Sequence, residues 1–183
     1  MKAMLFCLVA CAAFAACQPG AEKNTSTETL NEAVETDSIL QVIRKETDNF
    51  FNADYTAWTT TWAHESYTMQ GWNNDDSTFS TAIGWDAINK QGKEWIEKYY
   101  ANGKNIIHPE VRREKPVVKF FNNNTAWLFW KQYNADAGKK LYSLSQETRI
   151  MEKKADGWKI VSVLSYWDYK NKIPADSLPQ GLE

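Results

Sequence analysis

Residues 141–169 read LYSLSQETRIMEKKADGWKIVSVLSYWDY. Two runs rich in β-branched and aromatic residues flank Ala155-Asp156-Gly157, and an Asp-Gly pair between such runs is a strong hairpin signal. The stretch predicts a strand over 141–153, a tight turn, and a strand over 158–169. Working back along the chain, Ala137-Gly138-Lys139 makes another turn, and 125–134 (TAWLFWKQYN) is a strand dense in aromatic residues. Asn122-Asn123-Asn124 turns the chain again, and 116–121 and 106–113 are two further candidate strands. The second half is thus a run of antiparallel strands.

The first half has a different period. Ile39, Val42, Ile43, Glu46, Thr47 and Phe50 recur at three- and four-residue spacing behind Thr36 or Asp37 as a cap, which predicts an amphipathic helix of about 14 residues. Asn52-Ala53-Asp54 breaks it, and Asp54 caps a second, shorter helix with Tyr55, Trp58 and Trp62 on one face. Residues 68–84 are polar and turn-rich, with only short extended pieces, in a loop placed to fold over a cavity mouth. Gly84-Trp85-Asp86 opens a third helix that buries Trp85, Ile88, Trp95, Ile96 and Tyr99, and Asn102-Gly103 closes it. Helices followed by antiparallel strands argue an α+β domain. Strand 125–134 is apolar on both faces, Trp127 and Phe129 alternating with Leu128 and Trp130, and strand 158–169 does likewise. A sheet with one solvated face alternates cleanly. The second face is therefore predicted to be covered by a second copy, giving a homodimer through the sheet.

The chain has 183 residues, 43% apolar and 24% charged, with nine Trp, all between Trp58 and Trp167. That suits one aromatic-rich domain with extras at the ends. Net charge is −2, there is no basic run, and nucleic-acid binding has no electrostatic support. Cys7, Cys11 and Cys17 are the only cysteines, so the domain has no disulfide, thiolate metal site or catalytic cysteine. Residues 1–17 carry Lys2, an apolar run too short to span a bilayer, and small residues before Cys17, which together read as a secretion signal. Phe14-Ala15-Ala16-Cys17 resembles a bacterial lipobox, with Cys17 as the lipidated residue; Leu8-Val9-Ala10-Cys11 and ordinary cleavage after Ala13-Phe14-Ala15 are the alternatives. The expectation is export across a bacterial inner membrane and a lipid anchor in the cell envelope, the only membrane contact. Residues 18–36 are a flexible tether, 37–170 the domain, and 171–183 a loose tail with Pro174 and Pro179.

The order of elements resembles the nuclear transport factor 2-like superfamily, its SnoaL-like and calcium/calmodulin-kinase-association-like branch. The resemblance covers residues 37–169. It rests on the helix pair ending in Trp62-Ala63-His64, on Gly84-Trp85-Asp86-Ala87-Ile88, and on Arg149-Ile150-Met151-Glu152 followed by Asp156-Gly157-Trp158-Lys159-Ile160-Val161. It implies a cone: a strongly curved antiparallel sheet wrapped around helices, with a pocket between them. Some members isomerise or dehydrate small molecules, and many bind or assemble, so the fold does not decide function. Members often carry histidines in the last strand, where this chain has Ser162-Val163-Leu164-Ser165.

The densest candidate stretch is 54–72, DYTAWTTTWAHESYTMQGW. His64, at a helix C-terminus, has two readings: a proton carrier facing the pocket, or a cap on its own helix's last carbonyls. Tyr55 or Tyr67 is its companion as hydrogen-bond donor. Trp58, Trp62, Tyr67, Trp85 and Trp127 are candidate ligand-binding residues, with plain core as the competing reading for the aromatic stripe. Tyr133, Lys131, Tyr166 and Asp168 are candidate polar pocket groups; ketosteroid isomerase, of the same superfamily, uses Asp and Tyr groups this way, but no motif matches its positions here. Asn73-Asn74-Asp75-Asp76 lacks the spacing of a calcium loop, and two histidines make a poor zinc set, so no metal and no cofactor are expected. The leading expectation is a tethered domain that binds a small apolar molecule; an isomerase or dehydratase using His64, and an interaction module with a filled core, are the alternatives.

Overall fold

A computed structural model of the chain describes residues 29–100, 110–136 and 138–183, the side chains of 99 and 100 apart. The leader with Cys17, the tether up to residue 28, the stretch 101–109 with His108, and Ala137 lie outside the described residues.

Helix α1 runs Glu32–Phe51 and is capped by Asn31, whose side chain accepts from Val34 N–H. It therefore starts inside the stretch expected to be tether, because Asn31 caps better than Thr36 and Glu32 and Glu35 suit the positive end of the helix. Its apolar stripe buries Ile39 and Ile43 completely or nearly so. Helix α2 is a single turn, Tyr55–Thr59, capped by Asp54. The chain leaves helical geometry before Trp62, which instead bridges Ile160 alongside the sheet. Helix α3 spans Trp85–Tyr100 and buries Ile88 and Ile96, while Trp95 stays 37% exposed.

Among the described residues seven strands form one sheet: β1 Met69–Asn73, β2 Phe79–Ile83, β3 Val111–Arg113, β4 Val117–Asn122, β5 Thr125–Ala135, β6 Leu141–Lys154 and β7 Gly157–Pro174. The order is β2-β1-β7-β6-β5-β3, with β4 pairing the other half of β5. The loop expected over 68–84 is thus a β1–β2 hairpin, and β1 runs parallel to β7, so the sheet is mixed. Parallel pairing is possible because α3 and the rest of the chain intervene between the two strands. The stretch expected as a loose tail begins as strand and is tied down at its end: β7 continues to Pro174, and Glu183 exchanges two backbone hydrogen bonds with Arg113. Two register shifts between β6 and β7 bend the sheet.

The helices lie on the concave face. Ala126, Leu128 and Trp130 of β5, Met151 of β6, and Trp158 and Ile160 of β7 pack there with Ile39, Trp58 and Ile88. The convex face carries Trp127 and Phe129, stacked 6.3 Å apart, beside Val117, Ile150 and Tyr166, which are 37–59% exposed. Among the described residues no helix is long and apolar enough to cross a membrane.

Candidate functional site

Strand alternation carries the concave face past the apolar core. Beyond Leu128 and Trp130 the inward positions of β5 are Gln132 and Asn134; before Met151 those of β6 are Arg149 and Glu147; on β7 they include Ser165, Trp167 and Tyr169. On α1, Glu46 and Thr47 stand one turn after Ile43. These residues enclose a cavity of about 730 Å³. Phe50, Phe51, Trp58, Trp72, Trp95, Trp167 and Tyr169 make its aromatic walls. Asp136, Leu141, Lys172 and Trp95 are exposed and mark the mouth; Trp58, Glu147 and Arg149 are buried and mark the inner end.

The inner end is a charged cluster. Glu147 is 1% exposed; its Oε2 accepts from Arg149 at 2.9 Å and from Ser165 Oγ at 2.5 Å. Arg149 also donates to Thr148 O and lies over the Trp130 ring at 5.0 Å. Two buried atoms here have no partner among the described residues, Glu147 Oε1 and Arg149 Nε. Glu46 accepts from Trp58 Nε1 at 3.1 Å and from Thr47 Oγ1 at 3.5 Å, and it has no ion-pair partner among the described residues. Burial pushes its carboxyl above the ordinary range, against the opposing pull of Arg149, the Trp58 N–H and Arg113. Arg113 donates to Gln132 Oε1 at 3.0 Å and to Thr47 Oγ1 at 3.1 Å; burial lowers its pKa, and Arg149 adds to that. Gln132 passes the chain of hydrogen bonds on to Asn134, which reaches Ser145. Such a network, half satisfied in a low-dielectric interior, is a costly arrangement for a fold alone.

Of the residues expected to form the site, only Trp58 lines this cavity. His64 does not: it is exposed, its Nε2 bonds Thr59 O at 2.9 Å, and its ring stacks on Trp85 at 4.0 Å. The contact with Thr59 O is the one the helix-capping reading calls for, and His64 stands outside the lining of this cavity. Tyr55 is occupied by Asn89 Oδ1. Trp62 is buried in the core beside Trp58, Trp85 backs His64, and Trp127 faces outward. Tyr67 sits on the outer surface bonded to Glu152. Among the second-rank candidates, Tyr133 donates to Glu114, and burial together with that bond pushes its pKa up to about 12. Lys131 pairs with Glu114, Asp168 accepts from Lys170 and Asn171, and Tyr166 is exposed. Four central members were missed: Glu46, Gln132, Glu147 and Arg149. Their signal is a charged or amide side chain at a position whose period assigns it to the core face. The described residues hold no group of three or more His, Cys, Asp or Glu able to ligate a metal.

No family model matches the sequence, and no curated protein matches it. Solved structures do match in fold. A nuclear transport factor 2-like protein of unknown function from Shewanella oneidensis is 18% identical, with a TM-score of 0.54 over 72% of this chain and 98% of its own. The association domain of C. elegans CaMKII is 17% identical, TM-score 0.56, covering 73% and 96%. A protein described as a scytalone dehydratase from Novosphingobium aromaticivorans is 10% identical, TM-score 0.56, covering 78% and 88%. The chain has the nuclear transport factor 2-like α+β cone fold.

Proposed function

We propose that this domain binds a small amphipathic molecule between α1, α3 and the sheet, its apolar body against the tryptophans and its polar end at the Glu46–Arg149 cluster. The observation that carries this reading is the cavity itself: about 730 Å³, aromatic-walled, and closed at its inner end by buried polar groups with unmatched atoms. A solidly packed interaction module would have no such space. The test is a thermal-shift screen of small molecules against the purified domain, since a ligand for the native state raises the midpoint by mass action. Trp72→Ala, at the wall, is expected to weaken any hit by about tenfold or more without unfolding the domain. A broad screen with no hit, or hits indifferent to Trp72→Ala, would sink the reading.

A second reading is a proton-transfer enzyme of the isomerase or dehydratase kind. It is supported by Glu46, a carboxyl that burial pushes above its ordinary pKa beside a wide cavity, a shift in the direction acid–base work requires. One solved neighbour is described as a dehydratase. Here Glu46→Gln abolishes turnover and His64→Gln leaves it intact.

The convex apolar face supports a homodimer, and one fold neighbour is an association domain. Light scattering at micromolar concentration reads it: a dimer is expected, and Ile150→Lys with Val117→Lys gives a monomer. For localisation, the apolar leader and Cys17 support an exported, lipid-anchored form. Cys17→Ser should move the protein from the membrane to the soluble fraction.

A further inference from the structure

We propose that the ligand is an extended, neutral carbohydrate, its hydroxyl edge turned to β5 and β6 and the C–H faces of its rings to the aromatic walls; this rests on the cavity being a ligand site. The cavity is long. Along β6 it reaches from Arg149 back to Leu141, roughly 25 Å at the rise of an extended strand. A volume of about 730 Å³ drawn out over that length is a narrow trough, of which a compact molecule would fill only part. Its chemistry differs from side to side. Gln132 and Asn134 of β5 and Ser143 of β6 form a polar strip between the Glu147–Arg149 pair at the inner end and Asp136 at the mouth. Beside the strip, on β7, stand Trp167 and Tyr169, their rings 19° from parallel with centroids 6.0 Å apart, and the Tyr169 hydroxyl is fixed by donating to Asn73 O. Trp72 continues this aromatic strip on β1, and Phe50, Phe51 and Trp95 line the trough from the helices. Polarity thus runs along one side of the trough as well as closing its inner end.

The strip both gives and takes hydrogen bonds. Gln132 Nε2 donates one N–H to Asn134 Oδ1 and keeps a second, and Asn134 Oδ1 keeps a lone pair. The Ser143 hydroxyl accepts from Lys172, and its own hydrogen has no acceptor among the described residues. All three side chains are half-buried and line the cavity. Between its ends the strip carries amides and a hydroxyl and no charge. At the inner end the unpartnered atoms are one acceptor, Glu147 Oε1, and one donor, Arg149 Nε, so neither sign of charge is called for there. A hydroxyl is donor and acceptor at once and suits such groups. A pyranose ring carries its hydroxyls on the rim and its C–H groups on the faces, which lie flat against the negative faces of aromatic rings. An alkyl chain or a plain aromatic body would strip water from the amides and return no hydrogen bond. A peptide takes its main-chain bonds from an open sheet edge, whereas β5 and β6 are paired on both sides and offer side chains only.

The test is isothermal titration of the full chain with cello-, malto- and xylo-oligosaccharides of two to four rings, beside decanol and tetra-alanine. At least one saccharide series is expected to bind, its four-ring member about tenfold or more tighter than its two-ring member, as an extended site requires. Trp167→Ala and Trp95→Ala should each weaken that binding by about tenfold. Gln132→Leu exchanges a hydrogen-bonding wall for an apolar one of similar size. It should weaken the tetrasaccharide by about tenfold and strengthen decanol, whereas a variant that had merely lost its fold would lose both. Decanol or tetra-alanine binding with no saccharide bound overturns the inference and leaves the cavity reading standing. So does saccharide binding that is indifferent to ring number or to Gln132→Leu. If none of the probes binds, both fail.

Discussion

Glu46 contributes to the pH dependence of this fold's stability. Its folded pKa lies above the ordinary 4.5, so between that value and its folded pKa the native state binds more protons than the unfolded state. Stability from this group is full below 4.5 and declines as pH rises through that window. Glu46→Gln should flatten the decline, read as the denaturant midpoint against pH. Gly92 is a different kind of constraint. It faces the Trp58 indole so closely that an added Cβ would lie 2.2 Å from the ring. Glycine in a helix ordinarily costs about 0.5–1 kcal/mol relative to alanine. Here the overlap decides: Gly92→Ala is expected to destabilise by about 1–3 kcal/mol, measured by urea unfolding, and to shrink the cavity it lines. His64→Gln should lower stability slightly, through the lost Trp85 stack and helix cap, and leave ligand affinity unchanged. The residue-level reading went to the densest stretch, 54–72, because aromatic and titratable residues cluster there. Their directions follow from where helical geometry stops, and only a side chain's direction separates Trp58 in the wall from His64 outside it. Glu46 and Thr47, by contrast, were visible in the apolar stripe of α1, where a charge has no reason to stand unless something answers it.

Among the elements, those with a strong period were legible. The strands β5, β6 and β7 are long and bounded by turn residues, the Asp-Gly pair joining β6 to β7, so their starts matched expectation to within a residue or so. The β1–β2 hairpin was lost in its polar residues. Gln70, Asn73, Ser80 and Thr81 carry no alternation; among the described residues β2 pairs only β1, and β1 is held to the sheet by β7, some ninety residues away, through Met69–Ser162 and its neighbours. The start of α1 was lost for the same reason: its first turns are polar by sequence and are held by tertiary contacts. Glu35 accepts from Trp158 Nε1 and from Lys153, tying the helix to the β6–β7 hairpin. Those bonds hold the Glu35 carboxyl below its ordinary 4.5, the Lys153 bond contributing most. A depressed carboxyl contributes stability above its unfolded pKa that is lost as pH falls through the folded value. The pair is partly solvated, so Glu35→Gln should cost no more than about 1 kcal/mol at neutral pH, with the difference from wild type vanishing in acid. Thermal melts across the acid range check it.

For the whole molecule, the convex face links fold to assembly. A sheet bent by two register shifts closes its concave side around helices and cavity, and leaves Val117, Ile150 and Tyr166 on the side facing away. The cavity mouth and this face lie on different sides of the sheet, so a dimer would leave both cavities open. The apolar character of both faces of β5 could be read from the sequence, since Trp127 and Leu128 alternate without a polar partner. A pocket was expected only through the family resemblance, and its lining could not be read from the residues, because an empty volume is a property of how elements are spaced.

The position of β7 in the sheet also orders events in time. It joins the β1–β2 hairpin to everything else, pairing β1 on one side and β6 on the other, yet it follows every other strand in the chain. On a ribosome the helices and the β1–β2 hairpin emerge with nothing to close upon. A nascent chain stopped before Gly157 should remain sensitive to protease and become resistant only when β7 has cleared the exit tunnel. A domain so arranged stays threadable until its synthesis is nearly done, which is the condition a chain must meet to pass through a narrow pore unfolded.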